Sequence, residues 1–229
     1  MDYIHKPFPP AVVKARVHTH LVLREAREQL AQQLLNINNE LEMAREIQMS
    51  ILPNEIPKIS GLGIAARYLP MSSVAGDFYD FIIADEQHLG ILIADVSGHG
   101  LPAALIASML KVALAAQAPQ AYDPARVLDG LNESLCGKFK HHFVTAAYVF
   151  LDMKEKCIRY AGAGHPPLLL WRASTGRVSE VLENGLLLGL FPDATYSVAE
   201  VRMELGDKAV LFTDGVVETR EPFGPGIWD

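Results

Sequence analysis

Residues 90–100 read Gly90-Ile91-Leu92-Ile93-Ala94-Asp95-Val96-Ser97-Gly98-His99-Gly100. An apolar strand ends on a carboxylate, and a glycine-rich turn follows. A charge at the end of a buried strand is expensive unless it is paired or bound to a cation. N-terminal to this stretch, residues 78–84 and 89–95 read as the two strands of a hairpin, with Asp85-Glu86-Gln87 as its turn. Residues 62–69 read as an earlier strand. C-terminal to it, residues 101–117 are apolar on most faces and read as a buried helix. A second helix is expected over 124–138, with Asp123 as N-cap and Pro124 at the first position. Strands then follow at 143–151, 157–161, 167–171, 198–204 and 209–213, divided by Gly, Pro, Asn and Asp clusters. Strands, two helices, then a run of strands predict an α+β fold of antiparallel sheets covered by helices.

The chain has 229 residues, half of them hydrophobic, enough for one domain with a sizeable core plus extra helix. A net charge of −7 argues against binding nucleic acid or an anionic membrane. Cys136 and Cys157 are far apart in sequence and suggest neither a disulfide framework nor a zinc site, so a reducing cytoplasm fits. No apolar run reaches the roughly 18 residues of a membrane span. The polar, Pro-rich start is not a signal peptide. Residues 19–52 contain neither Pro nor Gly. Their heptad d positions are Leu23, Leu30, Ile37, Ala44 and Ile51; the a positions are His20, Arg27, Leu34, Leu41 and Gln48. A regular d stripe with a mixed a stripe predicts a modest coiled coil, hence a homodimer through residues 19–52. A single amphipathic helix lying on its own domain stays open as the alternative. Pro53 and Pro57 end the helix.

Two further acidic motifs accompany the one around Asp95. Gly76-Asp77-Phe78-Tyr79-Asp80 precedes the hairpin, and Thr213-Asp214-Gly215 follows an apolar strand over 209–212. Asp95 and Asp214, each expected at the end of a buried strand with no adjacent Lys or Arg, point to Mg²⁺ or Mn²⁺ held through oxygen. Glycines such as Gly98 and Gly215 free the backbone for tight turns, so the Val96 carbonyl can join the ligands. His99 and His165 also lie in turns and are read as orienting the turn or approaching substrate. Asp80 is read as holding the Asp77 turn. Asp152, Asp193 and Asp207 are read as turn caps. Ser97 lacks the frame of a nucleophile elbow and is rejected in that role.

Residues 44–53, Ala44-Arg45-Glu46-Ile47-Gln48-Met49-Ser50-Ile51-Leu52-Pro53, followed in order by the motifs at Asp77 and Asp95, by Ala161-Gly162-Ala163-Gly164-His165-Pro166-Pro167 and by the motif at Asp214, resemble the signature set of RsbU/SpoIIE-type phosphatases. These belong to the metal-dependent PPM class. The resemblance implies a β-sandwich flanked by helices, two Mn²⁺ or Mg²⁺ ions at one edge, and hydrolysis of phosphoserine or phosphothreonine. It implies Asp77, Asp95, Asp214 and the Val96 carbonyl as ligands, with Asp95 bridging. It implies a phosphorylated anti-anti-sigma (STAS) protein as substrate. A catalytically weak or inert phosphatase-like binding module is the alternative.

Asp2-Tyr3-Ile4-His5-Lys6-Pro7-Phe8 and the helix after it resemble the end of a response-regulator receiver domain. The expected organisation is a receiver remnant over 1–18, a coiled-coil linker over 19–57 and a phosphatase domain over 58–229. Family members continue beyond the Thr213-Asp214-Gly215 motif to a further carboxylate ligand. The tail 221–229 is too rich in Pro and Gly to supply a helix and strand, and Asp229 is a poor substitute ligand. The C-terminal part of the fold is therefore expected to be missing here, with incomplete metal occupancy and weak activity.

Overall fold

A computed structural model of the protein describes residues 9–70, 73–139 and 141–216. Lys6-Pro7 of the receiver-like start and the tail 221–229 lie outside the described residues. The chain divides into two units, Met1–Ala44 and Arg45–Asp229.

Helix α1 runs unbroken over Pro10–Ile51, 42 residues, with no change of structure between 18 and 19. Pro10 suits the first helical position, and the helix ends just before Leu52, whose α conformation Pro53 disfavours. Within the first unit the d-position side chains are open to solvent: Leu30 is 57% and Ile37 52% exposed. An Arg24–Glu28 ion pair at 2.7 Å spans one turn of this helix.

The second unit continues with β1 (Phe78–Ile83), β2 (His88–Val96), α2 (Leu101–Ala116) and α3 (Pro124–Leu135). Then come β3 (Val144–Asp152), β4 (Cys157–Ala163), β5 (Leu168–Arg172), β6 (Arg177–Val181), β7 (Asn184–Gly185), β8 (Ala199–Arg202) and β9 (Lys208–Val210). The larger sheet has the order β1-β2-β3-β4-β7, with β8 also on β4; the smaller has the order β6-β5-β9. Pairing is antiparallel throughout except for the two-residue parallel contact of β4 with β7.

Two cores follow from strand alternation. On one face of the larger sheet Phe78, Leu92, Tyr148 and Phe150 pack against Leu110 and Leu114 of α2 and Leu128 and Leu131 of α3. On the other face Leu89, Val149, Ile158 and Tyr160 meet Leu168 and Leu170 of the smaller sheet. Each fully buried leucine contributes about 1.5–3 kcal/mol. α3 is capped as expected: the Asp123 carboxylate accepts from the N–H groups of Ala125 and Arg126. It ends at Leu135 because Cys136 turns to an extended conformation (ψ 132°), short of the expected Lys138. Asp152 and Asp207 accept backbone N–H bonds in their turns, as read from their polar contexts.

Four expectations are corrected. Residues 62–69 form no strand: Leu62 makes one isolated bridge to Ile59. Their apolar side chains diverge: Ile64 packs partly buried against the inter-sheet core, Tyr68 partly buried against the helix-side core, and Leu69 is 71% exposed. β9 is short and open, with Val210 49% exposed, because among the described residues it pairs only with β5. Asp214 therefore does not follow a buried strand. β6 and β7 were not expected: four of the five β6 side chains are exposed, leaving no alternation to read, and β7 is only two residues long.

The β1–β2 turn carries a charge latch. His88 Nδ1 lies 2.7 Å from Asp85, its Nε2 lies 3.3 Å from Asp152, and the ring stacks on Phe150. The hydrogen bond to Asp85 is the main reason the His88 pKa is raised, and the charges of Asp85 and Asp152 add to it. A raised histidine pKa stabilises the fold below the unfolded value, and that contribution is lost as pH rises through the folded value. The melting-temperature gap between wild type and His88→Gln is therefore expected to be larger at pH 6 than at pH 8. A gap independent of pH would contradict the latch.

Candidate active site at the sheet edge

The hairpin register places the first two acidic motifs side by side. Phe78 pairs with Ala94, and the Val96 N–H donates to the Gly76 carbonyl at 3.3 Å, so Asp77 stands opposite Asp95. Both fall on the strand face shared with Ile91 and Ile93, which turns toward the smaller sheet. Thr145 of β3 is Asp95's partner on the other side. Gly76 is required here: a Cβ would come within 2.6 Å of the Val96 carbonyl oxygen. The Tyr68 hydroxyl donates to the Asp77 carbonyl at 3.2 Å; burial, then the Asp77 charge, push its pKa up to about 12.

Asp214 arrives from the smaller sheet, where Asp214–Val216 forms a short 3₁₀ turn after β9. Burial raises the Asp77 pKa, a hydrogen bond from the Thr213 side chain opposes this, and the charge of Asp214 raises it again. Strand ends from two sheets thus bring Asp77 and Asp214 into mutual repulsion, with Asp95 opposite Asp77. Among the described residues no group of three His, Cys, Asp or Glu side chains is close enough to hold a metal by itself. Among the described residues, Gly215 has only the Thr213 hydroxyl near its Cβ direction.

The Ser97-Gly98-His99-Gly100 turn is built by its backbone. Gly98 (φ 89°) and Gly100 (φ 77°) adopt left-handed conformations that favour glycine. The Ser97 hydroxyl accepts from the Phe143 N–H at 2.8 Å, and His142 Nδ1 lies 2.8 Å from the Ser97 carbonyl. Ser97 is thereby a turn residue. His99 is exposed at the surface of the turn.

Two residues are placed differently from the rest. Asp80 lies on the opposite face of β1, buried beneath α2, with its carboxylate 2.7 Å from Lys111 Nζ, and does not reach the Asp77 turn. His165 is only 2% exposed. Its backbone is fixed by Asn184, which donates to the His165 carbonyl at 2.9 Å and accepts from its N–H at 3.3 Å. Burial lowers its pKa to about 4, against an opposing pull from the Phe212 backbone, so the ring is neutral at ordinary pH.

The sequence reading gave no role to Tyr68, Lys111, His142 or Thr145, and it set Gln48 at a heptad a position of the coiled coil rather than at the site. Gln48 is the one buried residue of α1 among those described, and its amide grips Ala75: Nε2 donates to the carbonyl at 2.6 Å and Oε1 accepts from the N–H at 3.0 Å. A polar residue at a heptad a position was its only signal.

The chain is 34% identical over 189 residues to the phosphoserine phosphatase RsbU of Bacillus subtilis (strain 168), covering 82% of this chain and 56% of RsbU. It is 32% identical over 189 residues to the phosphoserine phosphatase RsbP of the same organism, covering 80% of this chain and 46% of RsbP. It thus spans about half the length of these curated relatives. In fold it resembles the SiaA-PP2C domain of Pseudomonas aeruginosa, with a TM-score of 0.65 at 24% identity over 79% of this chain and 72% of that one. Residues 85–227 match the family described as Stage II sporulation protein E (SpoIIE). The two sheets and the helices on one face agree with that match, which covers more than half of the chain, and the chain belongs to the SpoIIE family.

Proposed function

We propose that this chain hydrolyses phosphoserine or phosphothreonine on a partner protein, using the carboxylates of Asp77, Asp95 and Asp214 to hold Mn²⁺ or Mg²⁺. The observation that carries this reading is the meeting of Asp77 and Asp214 across two sheets, close enough for like-charge repulsion. Such repulsion is relieved by a cation. The donor set fits a hard divalent ion: all its atoms are oxygens, and Mg²⁺ is commonly held by one or two carboxylates with water completing the shell. A protein cluster of three groups is not required for that mode. The Val96 carbonyl, beside Gly76, is a further oxygen donor.

A bound divalent ion supplies hydroxide near neutral pH and neutralises charge on the phosphoryl oxygens. The chain's own residues set the stage for it. Asp95, opposite Asp77 in the hairpin register and between the other two motifs in the chain, is the candidate for a shared ligand. Thr213 and Tyr68 fix the side chain and backbone of Asp77. Gly98 and His99, exposed at the turn after Asp95, face the incoming phosphoprotein. Ser97 is occupied with Phe143, in keeping with attack by water rather than by a protein nucleophile.

A phosphorylated anti-anti-sigma (STAS) protein is the proposed substrate, on the family resemblance and on relatives named phosphoserine phosphatases. Among the described residues no helix is long and apolar enough to cross a membrane, in keeping with a cytoplasmic setting. Residues 1–18 as a receiver end, 19–57 as a linker and 58–229 as the phosphatase domain complete the proposed organisation. The missing three-group cluster among the described residues favours a second reading, a weak or inert module that binds the phosphoprotein. p-Nitrophenyl phosphate separates the two: turnover that appears with Mn²⁺ and vanishes with chelator supports the enzyme, and none at any Mn²⁺ concentration supports the inert module.

Homodimerisation through residues 19–52 belongs to the same proposal. The exposed d-position side chains of the first unit present an apolar stripe for a second copy. Replacing Leu30 and Ile37 with Asp puts charges in that seam, where burial is costly. Wild type is expected to sediment as a dimer at tens of micromolar and the double variant as a monomer. A monomeric wild type would remove the coiled coil.

A further inference from the structure

We propose that His165 is a positioning residue that braces the Asp214 end of the smaller sheet against the Asp95 end of the larger one. It would thereby set the spacing of the cation ligands, an inference that rests on the phosphatase reading above. His165 lies where the chain leaves β4 for β5, crossing from one sheet to the other. Its ring is buried between segments that carry ligands. Nδ1 is 2.9 Å from the Thr145 hydroxyl, Thr145 pairs with Asp95, and the same hydroxyl is 3.5 Å from the Asp95 carbonyl. On the other side, the antiparallel register of β5 and β9, with Leu169 opposite Val210, leads residues 165–167 back past 212–214, and the Phe212 backbone, two residues before Asp214, acts on the ring. Nε2 is buried and, among the described residues, completes no hydrogen bond.

Proton counting selects one arrangement. The Thr145 hydroxyl has one proton to give. If it goes to the Asp95 carbonyl, Nδ1 must carry the ring proton, and a bare Nε2 lone pair faces the Phe212 backbone. If it goes to Nδ1, Nε2 carries the proton and presents a donor to the Phe212 carbonyl. The second arrangement avoids lone-pair repulsion and gives the ring one contact with each sheet. Its backbone, held by two bonds to Asn184, cannot drift to relieve the unfinished bond. Buried polar atoms without a partner are rare, and one held in place between two ligand segments points to a positional role.

The test is calorimetric titration of Mn²⁺ into the 229-residue chain and its His165→Ala, His165→Gln and His165→Asn variants, with melting of each metal-free form alongside. His165→Ala is expected to raise the Mn²⁺ dissociation constant by about tenfold, the scale of losing a group that orients a ligand. His165→Gln, whose amide nitrogen reaches the place of Nε2, should recover most of that loss. His165→Asn, which reaches only toward Thr145, should not. A His165→Ala protein that melts earlier yet binds Mn²⁺ as wild type does would reduce His165 to a packing residue. Equal rescue by Asn and Gln would also overturn the brace, and that comparison remains if the Ala variant does not fold. Failure of wild type to bind Mn²⁺ is a different outcome and removes the phosphatase reading itself.

Discussion

Asp95→Asn is expected to lower metal-dependent phosphoester hydrolysis about a thousandfold or more while the fold survives. A cation that activates water and screens the phosphoryl oxygens supplies several kcal/mol to the transition state, and each ~1.4 kcal/mol is a tenfold rate change. Asp95 is the ligand candidate flanked by Asp77 on one strand, so its loss opens the shared side of the site. The metal-free fold should not suffer. Like charges directly opposite on neighbouring strands are destabilising, and the substitution removes one of them. Asp77→Asn follows the same logic with a stated sign. The Asp77 pKa is raised by burial and by Asp214, so folding takes up protons and stability falls as pH rises through that value. The Asn variant escapes this loss and should melt at or above the metal-free wild type near neutral pH. Hydrolysis assays with Mn²⁺ and thermal melts without it check both halves; near-normal turnover in Asp95→Asn would remove it from the site.

Gln48→Ala carries the second large effect, this time on both stability and metal affinity. Gln48 satisfies the N–H and the carbonyl of Ala75 at once, and Ala75 leads directly into Gly76 and Asp77. Stranding both backbone groups costs about 2–4 kcal/mol. At roughly 2–4 °C per kcal/mol for a chain of this size, the melting temperature should fall by about 5–15 °C. The Gly76–Val96 contact that aligns Asp77 with Asp95 then loses its outer support, so Mn²⁺ affinity should fall by about tenfold as well. Gln48→Glu keeps the acceptor and loses the donor, and should fall between wild type and Ala. A Gln48→Ala protein that melts and binds Mn²⁺ like wild type would show that the clamp has no consequence for the site.

Local signals recovered most of the second unit. The Asp123-Pro124 cap, the uniformly apolar α2 and the Asp85-Glu86-Gln87 turn are each decided within a few residues, and the structure places them where the sequence does. The α+β layering followed from their order. What the sequence did not show was set at long range. β6 is mostly exposed, so its position depends on pairing with β5 rather than on a core face. Residues 62–69 have strand-like side chains, of which Ile64 and Tyr68 pack partly buried against two different cores. Asp80 looked like part of the Asp77 turn because they are neighbours in sequence, yet strand alternation sends it to the other face, where Lys111, 31 positions away, receives it. Of the three acidic motifs only the one at Asp95 closes a buried strand; Asp77 precedes β1, and Asp214 opens a short turn after the exposed β9. That Asp77 stands opposite Asp95 depends on register, and that Thr213 bonds to Asp77 depends on the meeting of two sheets.

The central claim is that carboxylates from two sheets form one cation site, and Mn²⁺ calorimetry of wild type, Asp77→Asn and Asp214→Asn tests it most directly. The account predicts that both variants weaken the same binding event, although Asp77 belongs to the larger sheet and Asp214 to the smaller. Wild-type Mn²⁺ affinity retained in Asp214→Asn would contradict it.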